Sequence, residues 1–233
     1  MNRKEREQGK LWILAGGLAL LAFTLWTILV ITIDVQGAGE TGSPVGFATF
    51  NTWFHTLTGV HFALYRVTDW LGLVPVLVCL FFAGLGMAQL LCRKTLRRVD
   101  VDLLLLGLYY GLVILAYLLF EEYPVNYRPV FIDGRVEASY PSSTTLLVLA
   151  VMPTLILQAN RRLNSRKAKT RIAVLTVFFT VLMVVGRLIS GVHWCTDIVG
   201  AILLSTGFFC SYKGAMLRYC KPKQQTGGKH GIW

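Results

Sequence analysis

Gly186-Arg187-Leu188-Ile189-Ser190-Gly191-Val192-His193-Trp194-Cys195-Thr196-Asp197 is the stretch on which the fold turns. It lies between two long apolar runs, so it marks a point where the chain reaches a membrane surface and turns back. An arginine, an imidazole and a carboxylate beside hydrocarbon are costly, and such residues read first as a functional site. His193 and Asp197 are four residues apart. If a helix starts here, both project from one face. The carboxylate then accepts from one ring nitrogen and leaves the other free to attack. Arg187 can hold a phosphate through two parallel hydrogen bonds. The bland alternative is a chance trio at a helix end, with His193 satisfied by a neighbour.

Outward from this stretch the chain is apolar. Of 233 residues, 55% are hydrophobic and the mean hydropathy is +0.58, which excludes an ordinary soluble domain. Apolar runs predict six transmembrane helices over about 11–33, 70–92, 101–120, 141–159, 172–189 and 197–212. The first exceeds a signal-peptide core and is expected to stay attached. Gly16-Gly17 near its start permits close helix packing. Pro75 falls in the first turns of the second span, and Pro153 predicts a kink in the fourth. The domain reading is a cytoplasmic N-terminus over 1–10, a membrane domain over 11–213 and a basic tail over 214–233, disordered at its end.

The net charge is +11. The basic residues gather at the N-terminus, in the turns 93–98 and 160–171, and in the tail. The other side receives only Arg66, Arg128, Arg135 and Arg187. Positive-inside places both termini in the cytoplasm of a multi-pass plasma-membrane protein, so the charge reports topology and not nucleic-acid binding. The His193 stretch then shares the outer face with the loops 34–69 and 121–140. In the first of these, Phe47, Phe50, Trp53, Phe54 and Leu57 recur at helical spacing, with Asn51, His55 and Thr58 between them. That is an amphipathic helix lying in the interface, either gathering lipid or packing on the bundle. His55 and His61 are read as interfacial polar residues. The five cysteines form no CxxC and no Cys/His cluster, so neither a disulfide framework nor a zinc site is expected. Cys195 reads as a small packing residue.

Two further clusters reach that outer face. One is Glu121-Glu122-Tyr123-Pro124-Val125-Asn126-Tyr127-Arg128-Pro129; the other is Tyr140-Pro141-Ser142-Ser143-Thr144, opening the fourth span. Early amides of a helix have no intrahelical partner. With the Ser142 hydroxyl they would form an anion cup, against the simpler reading of helix capping by Ser139 or Ser142.

The trio Arg187-x5-His193-x3-Asp197 resembles the third signature of the type 2 phosphatidic acid phosphatase superfamily. Arg128-Pro129 resembles the end of its first signature, Lys-x6-Arg-Pro, with Glu121 at the lysine position. Pro141-Ser142-Ser143-Thr144 resembles its Pro-Ser-Gly-His, with Ser143 for glycine and Thr144 for histidine. The resemblance covers about 53–211. It implies an all-α, six-helix membrane bundle with an extracytoplasmic interfacial helix, and metal-independent removal of phosphate from a lipid through a phosphohistidine. His193 would be the nucleophile and Asp197 its orienter. Arg128, Arg187, Ser142, Ser143 and Thr144 would bind phosphate, and no cofactor or metal is called for.

The departures shape the substrate expectation. A threonine cannot protonate a leaving group near neutral pH. A lipid phosphate leaving group needs no such help, whereas an alkoxide does. That favours a polyprenyl diphosphate over phosphatidate or phosphatidylglycerophosphate. Glu121 would repel phosphate unless it turns away, pairs with Arg135, or serves as the missing acid. Glu121, Glu122, Asp133 and Glu137 together could also recruit a divalent cation. The competing functions are a degenerate lipid-phosphate binder and a lipid phosphotransferase. The expected partners are the bilayer and the lipid substrate, and the sequence gives no oligomeric state.

Overall fold

The computed structural model describes residues 3–220. Its helices are α1 (Arg3–Thr32), α2 (Ala48–Thr58), α3 (Phe62–Leu71), α4 (Leu73–Arg93), α5 (Val101–Glu122), α6 (Ser143–Arg162), α7 (Arg166–Ile189) and α8 (Cys195–Tyr219). A short hairpin pairs β1 (Gln36–Ala38) with β2 (Ser43–Val45). Among the described residues, six helical segments are long and apolar enough to cross a membrane: α1, α3–α4 taken together, α5, α6, α7 and α8. The protein is a multi-pass, all-α membrane protein.

α6 and α8 form the middle of the bundle and bury about half of their most apolar windows, whereas the other spans expose most of theirs. Leu14, Leu77, Leu108 and Phe178 all point outward. In lipid such residues need no protein partner, so the pattern describes a bundle whose outer surface faces acyl chains. Inside, Tyr109 stacks on Tyr212 at 4.8 Å, and its hydroxyl donates to the Ala150 carbonyl at 2.8 Å. At the basic end, Asp102 ties α5 to α6 through Arg162 at 2.7 Å and Arg161 at 3.4 Å.

Three element boundaries differ from expectation. The second span starts at Phe62, because Phe62–Leu71 is a separate amphipathic helix that meets α4 at Gly72. The fourth starts at Ser143, with Pro141 ahead of the N-cap Ser142. α8 continues to Tyr219, through the first residues of the predicted tail. From 221 on, that tail, with its expected disorder, lies outside the described residues.

Candidate active site

α7 ends with Arg187 in its last turn, and the loop Ser190–Trp194 leads into α8. Gly191 has φ +70°, and a Cβ there would lie 2.0 Å from the Gly59 carbonyl oxygen. Glycine is therefore required for the two loops to pass. The His61 amide donates to the Ser190 carbonyl at 2.9 Å. His55 Nε2 donates to the Gly191 carbonyl at 3.0 Å, and Asn51 Nδ2 donates to Thr196 Oγ1 at 3.0 Å. The polar face of α2 thus braces the loop that carries His193, while Phe50, Trp53 and Leu57 face outward.

His193 is buried. Its Nδ1 lies 3.2 Å from the Ser139 carbonyl oxygen. A carbonyl only accepts, so Nδ1 carries the proton and Nε2 keeps its lone pair. Nε2 is buried and has no hydrogen-bond partner. Burial, then the nearby Arg128 and Arg187 charges, hold the imidazole well below its ordinary range, although the Ser139 bond opposes this. The ring is neutral at physiological pH, with the Nε2 lone pair free of any hydrogen bond.

The expected bond between Asp197 and His193 is absent. Asp197 Oδ2 stands 3.9 Å from His193 Nδ1, beyond hydrogen-bonding reach. The reason is that α8 begins at Cys195, so His193 lies outside the helix and four-residue helical spacing does not apply. Asp197 instead accepts from the Trp194 amide at 2.8 Å, Asn126 Nδ2 at 3.1 Å and the Ser139 hydroxyl. It caps α8 and anchors the 123–142 loop, and reaches His193 only through Ser139. Asn126 and Ser139 are thus site residues the sequence reading missed in this role. Both sit inside or beside the two clusters quoted above.

Arg187 is 1% exposed and Arg128 is 8% exposed. Arg187 Nη2 donates to Asp69 Oδ1 at 2.7 Å and to the Thr144 hydroxyl, while its Nε and Nη1 have no partner. Arg128 Nε lies 3.1 Å from Glu137 Oε2, and Nη1 has no partner. Both guanidiniums lie over the Tyr65 ring, at 4.9 Å for Arg187 and 5.6 Å for Arg128. Asp69 and Tyr65 come from α3, far off in sequence, where no local signal marks them.

At the start of α6, the first intrahelical bond runs from the Leu146 amide to the Ser142 carbonyl at 2.8 Å, leaving the preceding amides free of the helix ladder. Ser142 itself is enclosed. Its hydroxyl donates to Thr145 Oγ1 at 3.0 Å and its amide to the Asp197 carbonyl at 3.2 Å, so it joins α6 to α8 and does not face outward. Ser143 and Thr144 face two cavities. A polar one of about 240 Å³ includes Glu121, Arg128, Glu137 and Ser143. An apolar one of about 510 Å³ runs from Asp69 and Thr144 down to Cys79, Tyr110 and Val151, between α4, α5 and α6. Glu121 is exposed, and Arg128 pairs with Glu137; Arg135 lies in a turn with Ile132. Among the described residues, no group of three or more His, Cys, Asp or Glu is placed to hold a metal, so the four loop carboxylates are not gathered.

The PAP2 superfamily model matches residues 119–218, the stretch that holds all three clusters. No curated protein matches the chain. Among solved structures, the fold is similar to the crystal structure of the first transmembrane PAP2 type phosphatidylglycerolphosphate phosphatase from Bacillus subtilis. The TM-score is 0.54 at 19% identity, with 86% of this chain and 94% of that chain covered. The family model lies over all three clusters and the fold is shared across most of both chains, so residues 119–218 are identified as a PAP2-superfamily region.

Proposed function

We propose that the protein is a membrane lipid phosphatase in which His193 Nε2 attacks phosphorus in line. The observation that carries this is a set of buried, unpartnered nitrogens: His193 Nε2, Arg128 Nη1, and Nε and Nη1 of Arg187. Each unpaired buried polar group costs about 1–3 kcal/mol, so such a set is expected to persist only where a ligand completes it. Two guanidiniums with free N–H groups suit a phosphoryl group. Donors fixed in advance around developing charge are the largest catalytic contribution in most such sites. Ser139 holds the tautomer that leaves Nε2 free, and Asp197 acts through Ser139 by positioning the loop.

The apolar cavity between α4, α5 and α6 supports a lipid. It begins beside Thr144 and reaches Val151, seven residues or about 10 Å along α6, which suits an acyl or prenyl chain. The Thr144 hydroxyl is held by Arg187 and supplies no acid. A leaving group that departs without a proton, such as the lipid monophosphate released from a polyprenyl diphosphate, is therefore favoured. The activity named for the Bacillus subtilis structure supports a phosphatase acting on a lipid phosphate. Lipids of the outer leaflet would be the substrate source if the basic end is cytoplasmic.

The test is phosphate release in detergent from polyprenyl diphosphate and phosphatidate, with His193→Asn beside the unaltered protein. The expected result is release faster for the diphosphate and lost by about 10³-fold or more in the variant. Release that survives His193→Asn would remove His193 as nucleophile. No release from any lipid phosphate by folded protein would favour a lipid-phosphate binder.

A further inference from the structure

Hydrolysis through a phosphohistidine has a second half, in which water attacks phosphorus and must lose a proton. His193 cannot take that proton. Its Nε2 is then bonded to phosphorus, and its Nδ1 faces the Ser139 carbonyl at 3.2 Å. Asp197 is fully buried and already accepts from the Trp194 amide, Asn126 Nδ2 and the Ser139 hydroxyl. An arginine offers no acceptor, and a threonine hydroxyl is no base near neutral pH. In-line displacement restricts where a base can stand. Water approaches phosphorus opposite Nε2, at the position the leaving oxygen has just vacated. The base therefore belongs on the side from which the lipid departs.

On the phosphatase reading above, that side is the apolar cavity between α4, α5 and α6. Asp69, in the last turn of α3, carries the one carboxylate among the described residues that line it, whereas Glu121 and Glu137 line the polar cavity. Asp69 also stands beside Thr144. Arg187 Nη2 donates to Asp69 Oδ1 at 2.7 Å and to the Thr144 hydroxyl. A Cβ on Gly72 would lie 2.8 Å from the Asp69 carbonyl oxygen and 3.4 Å from Thr144 Cγ2, so the end of α3 abuts the start of α6. The ion pair is lopsided: the Arg187 side chain is 1% exposed and that of Asp69 59%. The bond to Arg187 engages one carboxylate oxygen, and a carboxylate accepts at both. We propose that Asp69 is the general base of the second half-reaction, a role that rests on the phosphatase reading. Asp69 takes one proton from the water. The water oxygen bonds to phosphorus, and the P–Nε2 bond breaks with its electron pair returning to His193. The products are inorganic phosphate and a protonated Asp69, whose exposed carboxyl gives its proton to solvent.

The experiment follows polyprenyl diphosphate, radiolabelled in its terminal phosphate, quenched at successive times after mixing with purified protein in detergent. The unaltered protein, Asp69→Asn, Asp69→Glu and Asp69→Ala are compared. Asparagine keeps an acceptor for Arg187 but takes no proton. In Asp69→Asn the lipid monophosphate is expected in a burst of about one per protein, with steady phosphate release lower by about 10²-fold or more. The label stays on the protein in acid-labile, alkali-stable form. Asp69→Glu regains part of the release, and added formate discharges the labelled Asp69→Ala protein. If Asp69 only positions Arg187, the burst itself slows, no label builds up in Asp69→Asn, and formate changes nothing; that result overturns the base and leaves the phosphatase reading intact. Steady release in Asp69→Asn within about twofold of the unaltered protein also overturns it. Label absent from every protein, with phosphate still released, overturns the His193 reading and this one with it.

Discussion

A buried imidazole that stays neutral leaves a signature in the pH dependence of stability. Above the ordinary histidine range His193 is neutral in both the folded and unfolded chain and contributes no slope. Its folded pKa is depressed by burial and by Arg128 and Arg187. As pH falls below the unfolded value, the unfolded chain takes a proton that the folded protein refuses. Stability is then lost progressively, by up to about 1.4 kcal/mol per pH unit, until the folded pKa is reached. The expected outcome is that the melting temperature in detergent drops more steeply for the unaltered protein than for His193→Asn between about pH 6.5 and about pH 5. Parallel curves would mean that His193 takes up its proton at the ordinary pH. The sequence disclosed His193, Arg187 and Arg128 because charge beside hydrocarbon is rare enough to be informative. It did not disclose that Ser139, rather than Asp197, holds the ring. That depends on where α8 begins, and the start at Cys195 places the two residues in different local geometries.

Elements pack here by close approach of backbones, and α1 on α8 is the clearest case. A Cβ on Gly16 would lie 2.3 Å from Ser211 Oγ and 3.0 Å from the Gly207 carbonyl oxygen; one on Gly214 would lie 2.7 Å from the Gly9 carbonyl oxygen. Without a hydrophobic driving force between helices in lipid, this contact depends on small residues. α8 opens immediately after the His193 loop, so the seam also sets where that loop stands. Gly17 has nothing within 4 Å of its would-be Cβ. Gly16→Leu is therefore expected to destabilise by about 1–3 kcal/mol or more, whereas Gly17→Leu should stay within about 0.5 kcal/mol of the parent. Melting of both variants in one detergent checks this, and equal losses would contradict the seam. The adjacent glycines were legible as a packing signal. Which of them faces α8 was not, because a helix that is apolar all round offers no periodicity to read. α2 shows the opposite case. Its alternation of aromatic with polar residues gave both the helix and its outward face. The partners of Asn51 and His55 lie about 140 residues away and left no local trace.

At the scale of the molecule, one end holds all but four of the 20 basic residues among the described ones, and the other holds the site. Six crossings return the chain to the side on which it started, so a single orientation decides where catalysis occurs. Positive-inside predicts a cytoplasmic basic end, which would open the site outward, toward lipids of the outer leaflet. Two positions report on this. Cys92 is exposed at the basic end of α4, whereas Cys210 and Cys220 are buried and Cys79 and Cys195 are half-buried. Glu40 is exposed in the hairpin turn at the site end. On intact cells a membrane-impermeant maleimide is expected to label Glu40→Cys beyond the unaltered protein. Cys92, identified by its loss in Cys92→Ser, should be labelled only after the membrane is opened. The reverse pattern would place the basic end outside, against a charge bias of this size. It would also turn the acidic site end toward the cytoplasm, where nucleotide phosphates would compete for the same arginines. The outward orientation would instead set the site at an extracytoplasmic surface, where its substrate is drawn from the outer leaflet.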